Sequence, residues 1–230
     1  MSETTPDIPS KTLPTIAILG GTGKEGPGLA LRWLAAGYSI IIGSRQLEKA
    51  QATAAELNAR MNTDCALGLE NSNAARQADI CVLTVMAEAH QPALEGLKDA
   101  LQGKILVDAT ARVDFRDPRP PSPPSAARIA QDILGPGVRV VAAFQNAPAH
   151  SLKKNLDKPI ATDVLVCADD LEAAERVIEL AKAGGMRAYY AGGLDNAVVV
   201  EGITSLLISI NKHYGSKTAT INVAGLGITD

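Results

Sequence analysis

Short apolar runs alternate with longer segments of helical period along most of the chain. Ile16 to Leu19, Tyr38 to Ile42, Ile80 to Val85, Lys104 to Val107 and Val138 to Phe144 have the length and branching of strands buried on both faces. Cys65 to Leu69 adds a short further strand. Between them lie segments that repeat apolar residues at helical spacing. These are Leu29 to Ala35, Gln46 to Met61 (Leu47, Ala50, Ala54 and Leu57 on one face), Asn71 to Gln77 and Pro92 to Leu101. Ser125 opens a last one, Ala126 to Leu134, stopped by Gly135-Pro136-Gly137. Strands alternating with helices predict an α/β fold, a doubly wound parallel sheet of Rossmann type.

After Lys153, Lys154 and Lys158 the pattern restarts as a smaller α/β unit. It predicts a strand over Val164 to Cys167, a helix between Asp169-Asp170 and Gly184-Gly185, and a strand over Arg187 to Tyr190. Asp195 is placed to cap a long helix, Asn196 to Tyr214. Val199, Ile203, Leu206, Leu207 and Ile210, with Val200 and Ile208 to the side, make that helix apolar around much of its circumference. One buried face does not need so many, so it is expected to meet the first domain and either its own sheet or a second subunit. The expected division is a nucleotide-binding domain over residues 1–144, with 1–13 a flexible extension, and a smaller substrate and dimerisation domain over 145–230.

The turn after the first strand carries the chemistry. Gly21, Gly23 and Gly26 form G-x-G-x-x-G, with Thr22, Lys24 and Glu25 between them, and a helix follows at once. In that frame the glycines serve a sharp turn, a close backbone approach to a pyrophosphate, and tight packing of helix on strand. The helix N-terminus then favours the phosphates. An NAD site places a carboxylate at the tip of the second strand, but this chain has Gly43-Ser44-Arg45 there and Lys49 one turn on. A hydroxyl and two cations suit the 2′-phosphate of NADP. Thr84, Val85 and Met86, at the tip of another strand, are expected beside the diphosphate and ribose.

Gln145-Asn146-Ala147-Pro148-Ala149-His150 ends the sixth strand. Its small residues and proline leave room for a flat ring and offer backbone donors to a carboxamide. Asp108 reads either as a catalytic carboxylate or as a brace for the turn after it. His150 reads as an acid/base group or a surface residue. The stretch DFRDPRPPSPP, Asp114 to Pro124, is too rich in proline for a helix. It is either a wall of the substrate cleft, offering Arg112, Arg116 and Arg119, or an exposed connection.

Composition narrows the field. With 46% apolar but only 3% aromatic residues, aliphatic side chains must fill the core, as where helices cover a parallel sheet. A net charge of −3 without a basic block argues against nucleic acid or an anionic membrane as partner. Cys65, Cys81 and Cys167 are scattered and form no C-x-x-C, which suggests reduced thiols, no metal and a cytoplasmic setting. The polar start MSETTPDIPSKT lacks a signal-peptide core, and no run is read as long enough to span a bilayer.

Taken together, AILGGTGKEGPGLALRWLAAGYSIIIGSRQLEKA, ADICVLTV, SAARIAQDILGPGVRVVAAF, DVLVCADD and NKHYGSKTATINVAGL resemble the F420:NADP oxidoreductase family from Ile16 to Leu226. The resemblance implies hydride transfer between NADP(H) and the deazaflavin coenzyme F420, in a homodimer. It implies that Thr22 meets the 2′-phosphate or diphosphate, that Ser44, Arg45 and Lys49 hold the 2′-phosphate, and that the Ala149 backbone meets the nicotinamide carboxamide. The deazaflavin would dock between the domains, near Gln145, Asn146, Ala147 and Pro148, with cations among residues 112 to 158 drawing its acidic tail. Gln145 stands where the resemblance leads one to expect His, and the proline-rich loop departs from the family's sequence. Two other readings stand beside this one. One is an NADPH reductase of a small carbonyl or imine compound, with His150, Asp108 or Glu201 as proton donor; the other is a non-catalytic NADP-binding regulator.

Overall fold

The apolar runs all become strands. In this computed structural model, which describes residues 13–226, they are β1 (Ile16–Leu19), β2 (Ile40–Ser44), β3 (Ala66–Glu70), β4 (Ile80–Leu83), β5 (Ile105–Asp108), β6 (Arg139–Ala142), β7 (Asp163–Ala168) and β8 (Arg187–Tyr190). The helices are α1 (Gly26–Ala35), α2 (Leu47–Met61), α3 (Asn71–Gln77), α4 (Ala87–Leu97), α5 (Ala126–Leu134), α6 (Ala149–Leu152), α7 (Leu171–Ala183) and α8 (Ala197–His213). The extension expected over residues 1–13 lies, but for Leu13, outside the described residues.

The strands join into one sheet of order β3-β2-β1-β4-β5-β6-β7-β8. The first six run parallel, and β7 turns antiparallel against β6. Alternate side chains supply the two cores. Ile16 and Ile18 of β1 pack with Trp33, Leu57 and Val177 on one face, whereas Ala17 and Leu19 pack with Ala74, Leu94 and Leu134 on the other. Burial on both faces is why β1 and β4 read as unbroken apolar runs rather than alternating ones.

The boundary expected at residue 144 is not a break in the sheet. β6 bonds directly to β7 through Val141–Ala168 and Ala142–Cys167, so the later residues extend the first sheet rather than building a second. The buried guanidinium of Arg32 on α1 reinforces the join by donating to the carbonyls of Leu152 and Lys158, at 3.0 and 2.7 Å. Asp163 does the same for the tail. Its carboxylate takes two hydrogen bonds from Arg187 and one from the Val223 N–H.

Some boundaries moved. β2 begins at Ile40 rather than Tyr38 because the Tyr38 N–H closes the end of α1 on the Trp33 carbonyl, at 2.9 Å. α4 starts at Ala87 and carries Pro92 inside it, so packing overrode the proline's preference for a first turn. Asp195 does not cap the last helix: it sits in a single 3-10 turn and binds Arg128 at 2.8 Å. Leu194–His213, 20 residues of mean hydropathy 1.3, is by length and composition able to cross a bilayer, contrary to the sequence reading. Its Glu201 and Ser205 are buried and bonded to Arg112 and to the Arg119 carbonyl.

Candidate functional site

The glycine turn is built from close approaches. Its left-handed residue is Gly20, at φ +70, one position before the fingerprint, so the sharp bend expected of Gly21 falls there instead. Gly21 is crowded, since a Cβ on it would stand 2.6 Å from the Ile18 carbonyl, and its N–H bonds Gly43 at 2.9 Å. A Cβ on Gly26 would stand 2.7 Å from the Gly21 carbonyl, so only glycine lets α1 begin so near the turn. Gly23 meets nothing within 3.8 Å and leaves its backbone open to a ligand. No side chain caps α1; Pro27 has no N–H and the Gly28 N–H is bonded to the Glu25 carbonyl at 2.8 Å, which leaves the Gly26 N–H as the first-turn donor for an anion.

This turn opens on a cavity of about 720 Å³. Thr22, Gly23, Ser44, Arg45 and Lys49 line it together with Thr84, Val85 and Met86, so residues far apart in sequence meet as the pattern predicts. Arg45 and Lys49 are exposed and make no ion pair among the described residues, while the Ser44 hydroxyl accepts from the Gln46 N–H at 3.1 Å. Lys24 is exposed and lines neither this cavity nor the next. Asn71 was not singled out in the sequence, yet its side-chain oxygen accepts from the Gly20 N–H at 3.0 Å and packs on Gly43, fixing both strand tips. Glu70 also lines the cavity, so a carboxylate is present after all, on β3 rather than β2.

A second cavity, of about 260 Å³, shares Val85, Met86 and Glu88 with the first. Glu25 and Gln145 to Ala149 line one side of it; Val113 and Phe115 bring the proline-rich connection to another, so that loop is a cleft wall. Thr204, Leu207 and Asn211 of α8 close it with Lys217 and Ala219 of the tail. Asn211 holds the tail there by accepting from the Ala219 N–H at 3.0 Å. Nothing in the local sequence marks Lys217 or Thr204 as cleft residues, because only the fold brings them in.

The polar inventory of this cleft fits a flat heterocycle that carries N–H groups. Gln145 donates to the Asp108 carbonyl at 2.8 Å and Asn146 to the Asp163 carbonyl at 2.7 Å, which leaves both amide oxygens buried without a partner. Oε1 of Glu25 is likewise buried and unpartnered. Three acceptors lacking donors, in a largely aliphatic cleft, are unstable unless a ligand or water supplies the hydrogens. Burial also pushes the Glu25 carboxyl up to about 8, so it is mostly a neutral acid at pH 7. Phe144, just before Gln145, holds φ +76 while fully buried edge-on against Trp33. That is strained for an aromatic residue, and it aims the next residues into the cleft.

The other candidates are structural. Asp108 is wholly buried, 2.6 Å from the buried His90 and 3.0 Å from the Thr110 N–H it accepts, so it braces the β5 turn. Glu201 accepts from the Arg112 side chain at 2.9 Å and the Ala126 N–H at 2.7 Å, and lies outside the cleft lining. His150 is exposed on α6 and also outside the lining. Arg112 is engaged with Glu201, and Arg119 pairs with Asp117. Neither they nor Arg116, Lys153, Lys154 and Lys158 line the cleft; its cation is Lys217. Among the described residues, no three His, Cys, Asp or Glu side chains converge as a metal site.

The chain is similar to known proteins over most of its length. Residues 15–112 match the family model described as NADP oxidoreductase coenzyme F420-dependent. The F420-dependent NADP reductase of Methanocaldococcus jannaschii is 42% identical over 225 residues, covering 93% of this chain and 99% of that one. That of Methanothermobacter thermautotrophicus is 39% identical over 223 residues, 92% and 95% of the two chains. A solved structure from Arthrobacter sp. FB24 superposes with a TM-score of 0.76 at 24% identity, covering 92% of this chain and all of that one, a likeness of fold.

Proposed function

This chain belongs to the F420-dependent NADP reductase family, and on that premise we infer that it is an oxidoreductase moving a hydride between NADP(H) and the deazaflavin coenzyme F420. The observation that carries the reading is the pair of joined cavities, one cationic beside a glycine turn, the other aliphatic with unsatisfied acceptors. NADP would lie across them. Ser44, Arg45 and Lys49 would take the 2′-phosphate, Thr22, Gly23 and the start of α1 the diphosphate, and Thr84 to Met86 the ribose. The nicotinamide would reach Pro148 and Ala149. The two coenzymes supply the redox chemistry between nicotinamide C4 and deazaflavin C5. The protein's task is to hold the rings at near-attack distance, about 3–3.5 Å, and to exclude water.

Lys217 is the charge best placed to draw an acidic coenzyme tail. The reading as a carbonyl or imine reductase loses its three named donors, since Asp108, Glu201 and His150 all lie outside the cleft lining. The complete cleft argues against a non-catalytic regulator. A spectrophotometric assay tests the assignment: NADPH should bleach oxidised F420, with NADH and a panel of carbonyl acceptors giving little turnover. Turnover of a carbonyl compound without bleaching would transfer the assignment to that substrate.

Assembly as a homodimer is part of the same reading. Val199, Leu206 and Ile210 form an exposed apolar stripe on α8, with Tyr214 beyond it, that a second copy would cover. Sedimentation should give a dimer, and Leu206→Asp a monomer. Wild-type protein sedimenting as a monomer at micromolar concentration would contradict this.

A further inference from the structure

The reaction needs a proton as well as a hydride, and the cleft contains a residue suited to exchange one. NADPH and the oxidised acceptor together take up one proton as they become NADP⁺ and the reduced acceptor. At the same time the nicotinamide changes from a neutral ring to a cation. A carboxyl group beside that ring feels the change directly.

We propose that Glu25 is a proton-exchanging residue of this reaction, neutral beside reduced nicotinamide and ionised beside the oxidised cation. The proposal rests on the cofactor lying across the two cavities as assigned above. In the forward direction the carboxyl O–H bond breaks, its electron pair stays on the carboxylate, and its proton passes through water to form the new N–H bond of the reduced acceptor, so that the two coenzymes and Glu25 together need no further proton. In reverse the carboxylate is protonated as the cation disappears.

The geometry supporting this is specific to Glu25. The residue is the N-cap of α1, between the anion-binding turn and the cleft, and it lines the same cavity as Gln145, Pro148 and Ala149. Its Oε1 is buried with no hydrogen-bond partner, and no ion pair among the described residues includes Glu25, so neither a cation nor a donor there fixes its charge state in advance. Its high proton affinity arises from burial. The helix dipole favours the ionised form, but a diphosphate bound at the same N-terminus opposes it. The two coenzyme forms share that diphosphate and differ by the charge on the ring, so ring charge decides between them.

Other charges face this position. Glu88 and Lys217 line the same cavity, Lys24 precedes Glu25 in the chain, and His150 and Lys153 stand on or beside α6, which packs on α1. Each could bend a pH profile. Substitution of Glu25 separates its contribution from theirs, and the ratio of affinities for the two coenzyme forms cancels the titration of their common phosphates.

The test is binding rather than turnover. Dissociation constants for NADPH and NADP⁺ are measured by titration calorimetry from pH 6 to pH 9.5 on wild type and on Glu25→Gln, with Glu25→Leu as a second variant. In wild type the ratio Kd(NADP⁺)/Kd(NADPH) should fall by roughly tenfold as Glu25 ionises, a modest effect for facing charges in a partly hydrated cleft. Both variants should lose most of that fall, keeping only the slope that the other facing charges supply. A pH-independent wild-type ratio, or a slope undiminished in Glu25→Gln, overturns the role of Glu25 while leaving the cofactor assignment intact. Failure of wild type to bind either coenzyme form overturns both.

Discussion

The two cavities differ in how they are assembled. The cationic one takes its glycine turn and its two cations from a single strand-turn-helix-strand unit, Gly20 to Lys49, and is closed by the tips of β3 and β4 and by α4. The hydride cleft is gathered from the start of α1, the tips of β4 to β6, the middle of α8 and the C-terminal tail. The groups that would meet phosphate in the first are therefore neighbours in sequence, whatever closes the rest of it. The second exists only once the sheet has extended through β7 and β8 and the tail has been tied back to Asp163. Substitutions should separate accordingly: changes in the first cavity alter nicotinamide binding, and changes in the second alter use of the acceptor.

The largest effect is expected from Gly26→Val. Its Cβ would stand 2.7 Å from the Gly21 carbonyl, so helix and turn must separate, and NADPH should fail to bind at millimolar concentration in fluorescence titration. Near-normal NADPH affinity in this variant would remove the turn from the account. Next is Arg45→Ala, which should weaken NADPH by about 1.5–3 kcal/mol, the scale of a charge-assisted contact, and leave NADH nearly unchanged. Equal losses for both nucleotides would mean the 2′-phosphate is held elsewhere.

In the second cavity Lys217→Ala should raise the KM for F420 by a factor of about five, within the range for an exposed charge contact, with the NADPH KM unaltered. High salt should shrink the difference. Asp163→Asn tests the tail. Burial alone would raise the Asp163 carboxyl, but the hydrogen bonds from Arg187, Val223 and Asn222 outweigh it and hold the group below the ordinary carboxylate range. A depressed folded-state value contributes stability above the unfolded pKa and loses it as pH falls through the folded one. Urea unfolding of wild type should therefore weaken from about pH 4 downward through this group, and Asp163→Asn should show a flatter acid limb. His150→Ala comes last, with kcat and KM expected within about twofold of wild type; a large fall in kcat would restore that histidine to the chemistry.

Legibility in the sequence follows the same division. The sheet was readable because Ile16–Leu19 and Ile80–Leu83 are apolar on both faces, a pattern few other structures require. Ser44, Arg45 and Lys49 were readable because they sit at fixed offsets from Gly21. Gln145 to Ala149 could be placed at a strand tip, but the unpaired oxygens that make them a site depend on Asp108 and Asp163, far away in sequence. Asp108, His150 and Glu201 stayed open between a chemical and a structural role for a related reason. An isolated acid or base carries no signal of its partners, and His90 and Arg112 occupy two of these three. Lys217 and Asn71 were silent because each gains its role only by long-range contact.

The central claim is direct hydride transfer across the joined cavities, and isotope tracing tests it most plainly. With NADPH deuterated on the transferring side of C4 and oxidised F420 as acceptor, mass spectrometry should find one deuterium on C5 of the reduced deazaflavin and little in the solvent. Deuterium retained in the nicotinamide, or lost to water before the acceptor is reduced, would contradict the account.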